Sequence, residues 1–299
     1  MTVAQHGRFD YIPISARPDF VWPDGRRLAV YLGVNLEHFA FGEGLGAQLA
    51  PGGPHPDILN YAWRDYGNRV GAWRLLDMLD ALNLPATVLA NSAMFDYAPE
   101  LIAAHVTRVD EIAGHGHTNS ERQSAMDEAT ESAMIARATL IITDAYQVPP
   151  KGWLSPWIAE SLKTPDLLIE HGYNYTLNWC MDDQPVWMRT RSGPLLAVPY
   201  PQEVNDIPAI VSRKGSAADF ADLIIDTFDE MRDQSAQQTL VMGIALHPYI
   251  IGQPGRLRQL RRALVHIYNQ RDAVWITRAK DIAATFAAVT PTPKTGLKL

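Results

Sequence analysis

Apolar residues along the chain fall into two alternating patterns. Short runs rich in β-branched and aromatic residues give way to longer stretches in which apolar positions return every three or four residues, the signature of parallel strands joined by crossover helices. The run RLAVYLGVNLE, 27 to 37, predicts the first buried strand. The segment GNRVGAWRLLDMLDALNLP then places Val70, Trp73, Leu76, Leu79 and Leu82 at helical spacing, with a proline just past its end. Further strands are predicted at 85–91, 109–114, 152–155, 174–178, 193–199, 238–248 and 273–278, and helices near 98–107, 122–146, 164–171, 216–234, 255–269 and 279–288.

No Gly/Ser-rich linker or composition break interrupts this rhythm, so the expectation is one catalytic β/α barrel domain over 1–299. The aromatic and proline-rich residues 1–26 read as an arm wrapping the barrel or a neighbouring subunit, and 290–299 as a short tail. The glycine- and proline-rich stretch 39–67 reads as a long binding loop, and 179–192 as a second one.

At 47% hydrophobic content the 299 residues suffice for a large core. The 26 basic and 33 acidic residues leave a net charge of −7 with no long run of one sign, which argues against a nucleic-acid partner. A single cysteine, Cys180, excludes an internal disulfide. The start MTVAQHGRFDYIPISARPDF lacks the order of an export signal, and no run reaches about 18 apolar residues. These features give the expectation of a cytoplasmic protein with no membrane partner and a small-molecule substrate.

In a β/α barrel the chemistry sits where strands end and loops begin. Asn35 and Glu37 share one face at the end of the first strand. His115 closes the EIAG strand, and His247 closes the apolar run VMGIAL before a proline. Each alone is as compatible with a structural role. Three such residues from distant parts of the chain, reaching one rim, point to a catalytic group of Glu37, His115 and His247. His117 reads as a loop neighbour; Trp153, Trp157, Trp179 and Trp187 flank the middle strands, and one or two of them are expected to wall an apolar pocket. Asp182 and Asp183 are either turn residues or site residues. No dinucleotide, P-loop, nucleophile-elbow or HExxH motif is present.

The order of VNLEHF, EIAGHG, GWLSP and LHPYIIGQPGR resembles the polysaccharide deacetylase superfamily, over roughly residues 18 to 288. The resemblance implies an α/β fold of the irregular β/α barrel type, with about seven parallel strands. It places the usual acidic base at Asn35, the acidic metal ligand at Glu37, the first histidine at His115 and the second histidine at Asn119. The third-motif arginine falls on Leu154. An amide cannot accept a proton at neutral pH, so this pattern departs from that of a metal-dependent sugar deacetylase. It is more similar to the allantoinase and cyclic-imide hydrolase branch, in which glutamate, histidine and tryptophan replace the metal triad, though Asn119 stands where that branch has tryptophan.

The resulting expectation is ring-opening hydrolysis of a small cyclic amide, imide or ureide by Glu37, His115 and His247. Asn35, Asn119, Trp153, Trp179 and Tyr249 are the expected substrate-binding residues. No cofactor is favoured, because zinc prefers three nitrogen, sulfur or carboxylate ligands; a divalent metal such as zinc, if bound, would take Glu37, His115 and Asn119. The alternatives are a metal-dependent sugar N- or O-deacetylase and a non-catalytic barrel that binds a small ligand. The arm and the resemblance together imply a homodimer or homotetramer.

Overall fold

The structure is a computed structural model that describes residues 5–43, 46–53 and 55–292. The first four residues of the expected arm and the last seven of the expected tail lie outside the described residues. Nine strands form one sheet: β1 (Leu28–Leu36), β2 (Thr87–Ala90), β3 (Glu111–Gly114), β4 (Gly152–Trp153), β5 (Tyr175–Thr176), β6 (Val186–Thr190), β7 (Gly193–Ala197), β8 (Leu240–Leu246) and β9 (Trp275–Thr277). Their order is β6-β7-β5-β4-β3-β2-β1-β8, with β9 paired to the first half of β1. Every pairing is parallel except the β6–β7 hairpin.

This corrects the expected barrel of about seven parallel strands: the sheet is mixed and curled, and no continuous ladder closes it. The seam lies between β8 and the β6–β7 hairpin. It is crossed by one isolated bridge, Asn205 to Ala245, and by the Val241 amide donating to the Asp183 carbonyl at 2.8 Å. The chemical reason is local. Pro199 and Pro201 follow β7, and neither has an N–H to give to a partner strand. Strand β6 lies within the stretch 179–192 that the sequence predicts as a loop.

Strand β1 is the axis of the molecule, with all nine residues buried. It pairs with β8 from Leu28 to Val34 and with β2 from Gly33 to Leu36, so its carboxyl end is fixed from both sides. Helices Glu128–Tyr146, Ala217–Gln234 and Pro254–Tyr268 contribute packing faces such as Phe220, Ile224 and Phe228 to the core.

The stretch 39–67 is less of a loop than expected, because Ile58–Tyr66 is helical, capped by the Asp57 carboxylate on the Asn60 amide. That helix continues through a π-helical turn, Gly67–Gly71, into Ala72–Ala81. A wider turn rotates the following face. Leu75, Leu76, Met78 and Leu79 are therefore buried, while Trp73, expected on the apolar face, is 37% exposed. Two glycines in this turn permit close approach to the segment after β8: a Cβ on Gly67 would stand 2.6 Å from the Tyr249 amide nitrogen, and one on Gly71 would stand 2.2 Å from the Pro248 carbonyl.

The described part of the arm packs on the chain's own sheet and helices. The buried Arg8 guanidinium pairs with buried Asp166 at 2.8 Å through both nitrogens, and Trp22 donates its indole N–H to the Leu240 carbonyl. Among the described residues no helix is long and apolar enough to cross a membrane.

Candidate active site

The carboxyl ends of β1, β3 and β8 bring Glu37, His115 and His247 together. Glu37 Oε1 lies 3.4 Å from His115 Nε2 and 3.6 Å from His247 Nε2, and its Oε2 has no partner. All three side chains are buried. The register that pairs Leu36 with Ala90, and Val34 with Leu246, sets the ends of β1, β2 and β8 at one level. Glu37 is further fixed from behind, where the π-turn residue Asn68 donates its amide to the Glu37 carbonyl at 2.8 Å.

Hydrogen-bond partners decide the histidine tautomers. His115 Nδ1 is 2.7 Å from the Leu154 carbonyl, which can only accept, so Nδ1 carries hydrogen and Nε2 faces the carboxylate. His247 Nδ1 is 2.6 Å from Asp206 Oδ1, while the His247 backbone amide donates to Asp206 Oδ2 at 2.8 Å. Burial opposes a charged His247, yet Asp206 and Glu37 outweigh it and hold its pKa above the ordinary value. Burial likewise pushes the Glu37 carboxyl up, but His247, His115 and the Asn119 amide prevail and keep it below the usual range. The site thus favours an ionised glutamate beside a protonated His247.

The two asparagines are already engaged. Asn35 donates to the Tyr200 hydroxyl at 3.0 Å and to the Leu246 carbonyl at 3.3 Å. Asn119 accepts from the Asn91 amide at 3.0 Å. A small cavity of about 130 Å³ opens over the group. Asn35, Glu37, His115, Asn119, Tyr200 and His247 form part of its wall; Leu154, Trp157, Ile158, Ile207 and Pro208 supply apolar surface.

Three expected binding residues stand elsewhere, which corrects the sequence reading. Trp153 faces away from Leu154, into a different part of the core, and packs against Tyr173. Trp179 donates its indole N–H to Glu160 and stacks edge-on with Phe9. Tyr249 is buried against Phe39 and Trp63 beside Glu37, and is not a wall residue. His117 contacts Ser92 outside the cavity, and Asp182 pairs with Arg17 of the arm.

Asp206 and Tyr200 are site residues that the sequence reading does not single out, whereas Trp157, one of the four tryptophans expected beside an apolar pocket, lines the cavity. The signal for Asp206 was the polar, proline-bounded stretch PQEVNDIP directly after a strand end. Trp157 has φ 63° and Ile158 has φ 56°, the left-handed region. A β-branched residue there is strained, each such residue costing of order 1–3 kcal/mol, and strain of this kind gathers at functional sites.

The donor set is a poor fit to a resident zinc. A hydrolytic zinc takes three good ligands and one water. Here the third donor is the Asn119 amide oxygen, a weak zinc ligand that already accepts from Asn91, and Asp206 and Glu37 favour the protonated, non-ligating form of His247. Among the described residues no group of three or more His, Cys, Asp or Glu side chains is arranged to hold a metal ion.

Comparison with known proteins agrees with this architecture. A family model described as polysaccharide deacetylase matches residues 60–176. The solved structure of the Puue allantoinase superposes with a TM-score of 0.84 at 28% identity, covering 95% of this chain and 100% of that one. The chain has a polysaccharide deacetylase-like fold. A second such fold, from Pseudomonas aeruginosa PAO1 and named for polysaccharide deacetylase, gives a TM-score of 0.83 at 29% identity over 93% and 96% of the two chains. A Schizosaccharomyces pombe protein also named for polysaccharide deacetylase is 25% identical over 93% of this chain and 95% of its own length. The matched family segment contains His115 and Asn119 but neither Glu37 nor His247, so the three-residue group within this deacetylase-like fold rests on the geometry.

Proposed function

We propose that the chain is a hydrolase of non-peptide carbon–nitrogen bonds, and that its substrate is a small cyclic amide, imide or ureide. The observation that carries this reading is the buried Glu37, His115 and His247 group, with Glu37 within 3.4 and 3.6 Å of the two imidazoles. Glu37, ionised, takes a proton from a water as the water oxygen attacks the substrate carbonyl. His115, with Nε2 3.4 Å from Glu37 Oε1, keeps that carboxylate aimed at the water. The His247 imidazolium stabilises the developing oxyanion, then gives its proton to the leaving nitrogen as the C–N bond breaks. The proton on Glu37 returns to His247 across the 3.6 Å gap, which restores both groups. An imide or hydantoin nitrogen leaves more readily than that of a simple amide, which suits hydrolysis by a carboxylate and imidazoles.

Cavity size supports a small ring. At about 130 Å³ it falls well below the roughly 300 Å³ at which pockets for drug-sized ligands begin.

The second reading is N-deacetylation of a sugar. The names borne by the Pseudomonas and Schizosaccharomyces relatives favour it, as the name of the allantoinase favours the first. Both readings share attack of water on a carbonyl bound to nitrogen; they part on metal. The test is metal analysis of the purified protein together with a hydrolysis screen over hydantoin, allantoin, succinimide and N-acetylated sugars, with and without chelator. Ring opening that persists in chelator supports the first reading. Stoichiometric zinc with chelator-sensitive deacetylation alone overturns it.

A further inference from the structure

Asn178, just past β5, holds both ends of the turn that carries Trp157 and Ile158. Its Oδ1 accepts from the Ser155 amide at 2.7 Å, and its Nδ2 donates to Ser155 Oγ at 3.0 Å and to Glu160 Oε2 at 2.6 Å. The second Glu160 oxygen accepts from the Trp179 indole at 2.7 Å. Inside this span Ile158 donates to the Ser155 carbonyl and Ala159 to the Pro156 carbonyl. The two left-handed residues are therefore pinned from both sides by one buried amide and one half-buried carboxylate. None of these clamp residues is a wall residue of the cavity, but the two residues they pin are.

We propose that the Asn178–Glu160 clamp is a specificity device, forcing Trp157 and Ile158 into strained backbone so that they present an apolar plate to one face of a planar substrate ring. The proposal deepens the cyclic-amide reading and rests on it for the identity of the ring. Asn178 and Glu160 are positioning residues, since they act only through the wall. Two N–H donors aimed at the two Glu160 oxygens call for an ionised carboxylate, whereas burial pushes its pKa up to about 7, against the pull of Asn178, Trp179 and Arg8; Glu131 adds to the rise. Arg8 from the arm, Glu131 from helix Glu128–Tyr146 and His6, which stacks on Trp179, are the charged or titratable neighbours. Protonation puts an O–H where an N–H already points, so the clamp slackens below neutrality.

The test compares Glu160→Gln, Trp157→Ala and the double variant on succinimide and hydantoin. A glutamine has one acceptor oxygen for two donors. Each single variant is expected to raise KM about tenfold with kcat within about twofold, and the double variant is expected to match Trp157→Ala alone, because the clamp acts through the wall. Additive KM effects, or a loss confined to kcat, overturn the proposal. A second readout needs no substrate. The fluorescence difference between the parent protein and Trp157→Phe should change with a midpoint near pH 7 and lose that transition in the Glu160→Gln background. A pH-independent difference, or one that survives in Glu160→Gln, overturns the clamp. If none of the rings is hydrolysed, the functional reading fails while the fluorescence result still decides the clamp.

Discussion

Replacing Asp206 by asparagine tests the charge arrangement at the centre of the site. Asp206 is fully buried and accepts two hydrogen bonds, one from His247 Nδ1 at 2.6 Å and one from the His247 backbone amide at 2.8 Å. Asparagine has a single acceptor oxygen, so one of the two donors must face an NH₂ group. A hydrogen bond to a charged group contributes about 1.5–3 kcal/mol, and each tenfold in rate corresponds to about 1.4 kcal/mol. The variant should therefore lose about 10- to 150-fold in kcat/KM. The sign of the pH effect follows from the same contacts. Asp206 and Glu37 raise the pKa of His247 in the folded protein, so its proton, and the stability that goes with it, is present at low pH and lost as pH rises through the folded pKa. Without the Asp206 charge that pKa falls, and the alkaline limb of the rate profile moves to lower pH. The assay is kcat/KM against pH for whichever substrate the hydrolysis screen identifies, with a thermal melt to show that the variant folds. Activity within threefold of the parent and an unmoved alkaline limb would refute the role given to His247.

Glu37→Gln should abolish turnover, with a loss of at least about 10³-fold, while leaving the melting temperature near that of the parent; measurable activity removes Glu37 from the mechanism. Arg8→Ala strips a buried carboxylate of its partner and should cost about 3–5 kcal/mol by denaturant titration, whereas a change under 1 kcal/mol would show that the arm is not anchored there. The raised Glu160 pKa means its burial weakens the fold as pH climbs from its unfolded value toward 7, so Glu160→Gln should flatten the fall in stability over that window, as read from melts at a series of pH values. Ile158→Gly relieves one left-handed residue but frees the unfolded chain, so the net gain in stability should stay below about 1 kcal/mol; a loss of several would place the side chain's packing above its backbone strain.

The elements that were legible in the sequence are those with a long, regular pattern. Strands β1 and β8 are almost wholly apolar and end in a polar residue, which is why Glu37 and His247 could be placed at one rim from spacing alone. His115 followed from the same rule at the end of β3. Strand β6 was not legible, because VWMRT has only a partly buried face and lies inside a turn-rich stretch. Trp153 misled because β4 is just two residues long, too short for alternation to show which way the indole points. Asp206 was hidden for a different reason: its function depends on a backbone and a side-chain contact with His247, 41 residues away, and no local period records such a pair.

The seam in the sheet also bears on how such a protein can change its substrate. Tyr200, Gln202, Asn205, Ile207 and Pro208 all belong to the connection that crosses the gap, where one bridge replaces a ladder. Gln202, Ile207 and Pro208 can be exchanged there without shifting the register of β1 against β8 and β2 and without touching Asp206, which holds His247, so Glu37 and His247 keep their places while the surrounding walls are rewritten. Selectivity in this architecture can therefore drift quickly over evolutionary time while the reacting groups stay still, and a library at Gln202, Ile207 and Pro208 that keeps Asp206 is the economical place to redirect it.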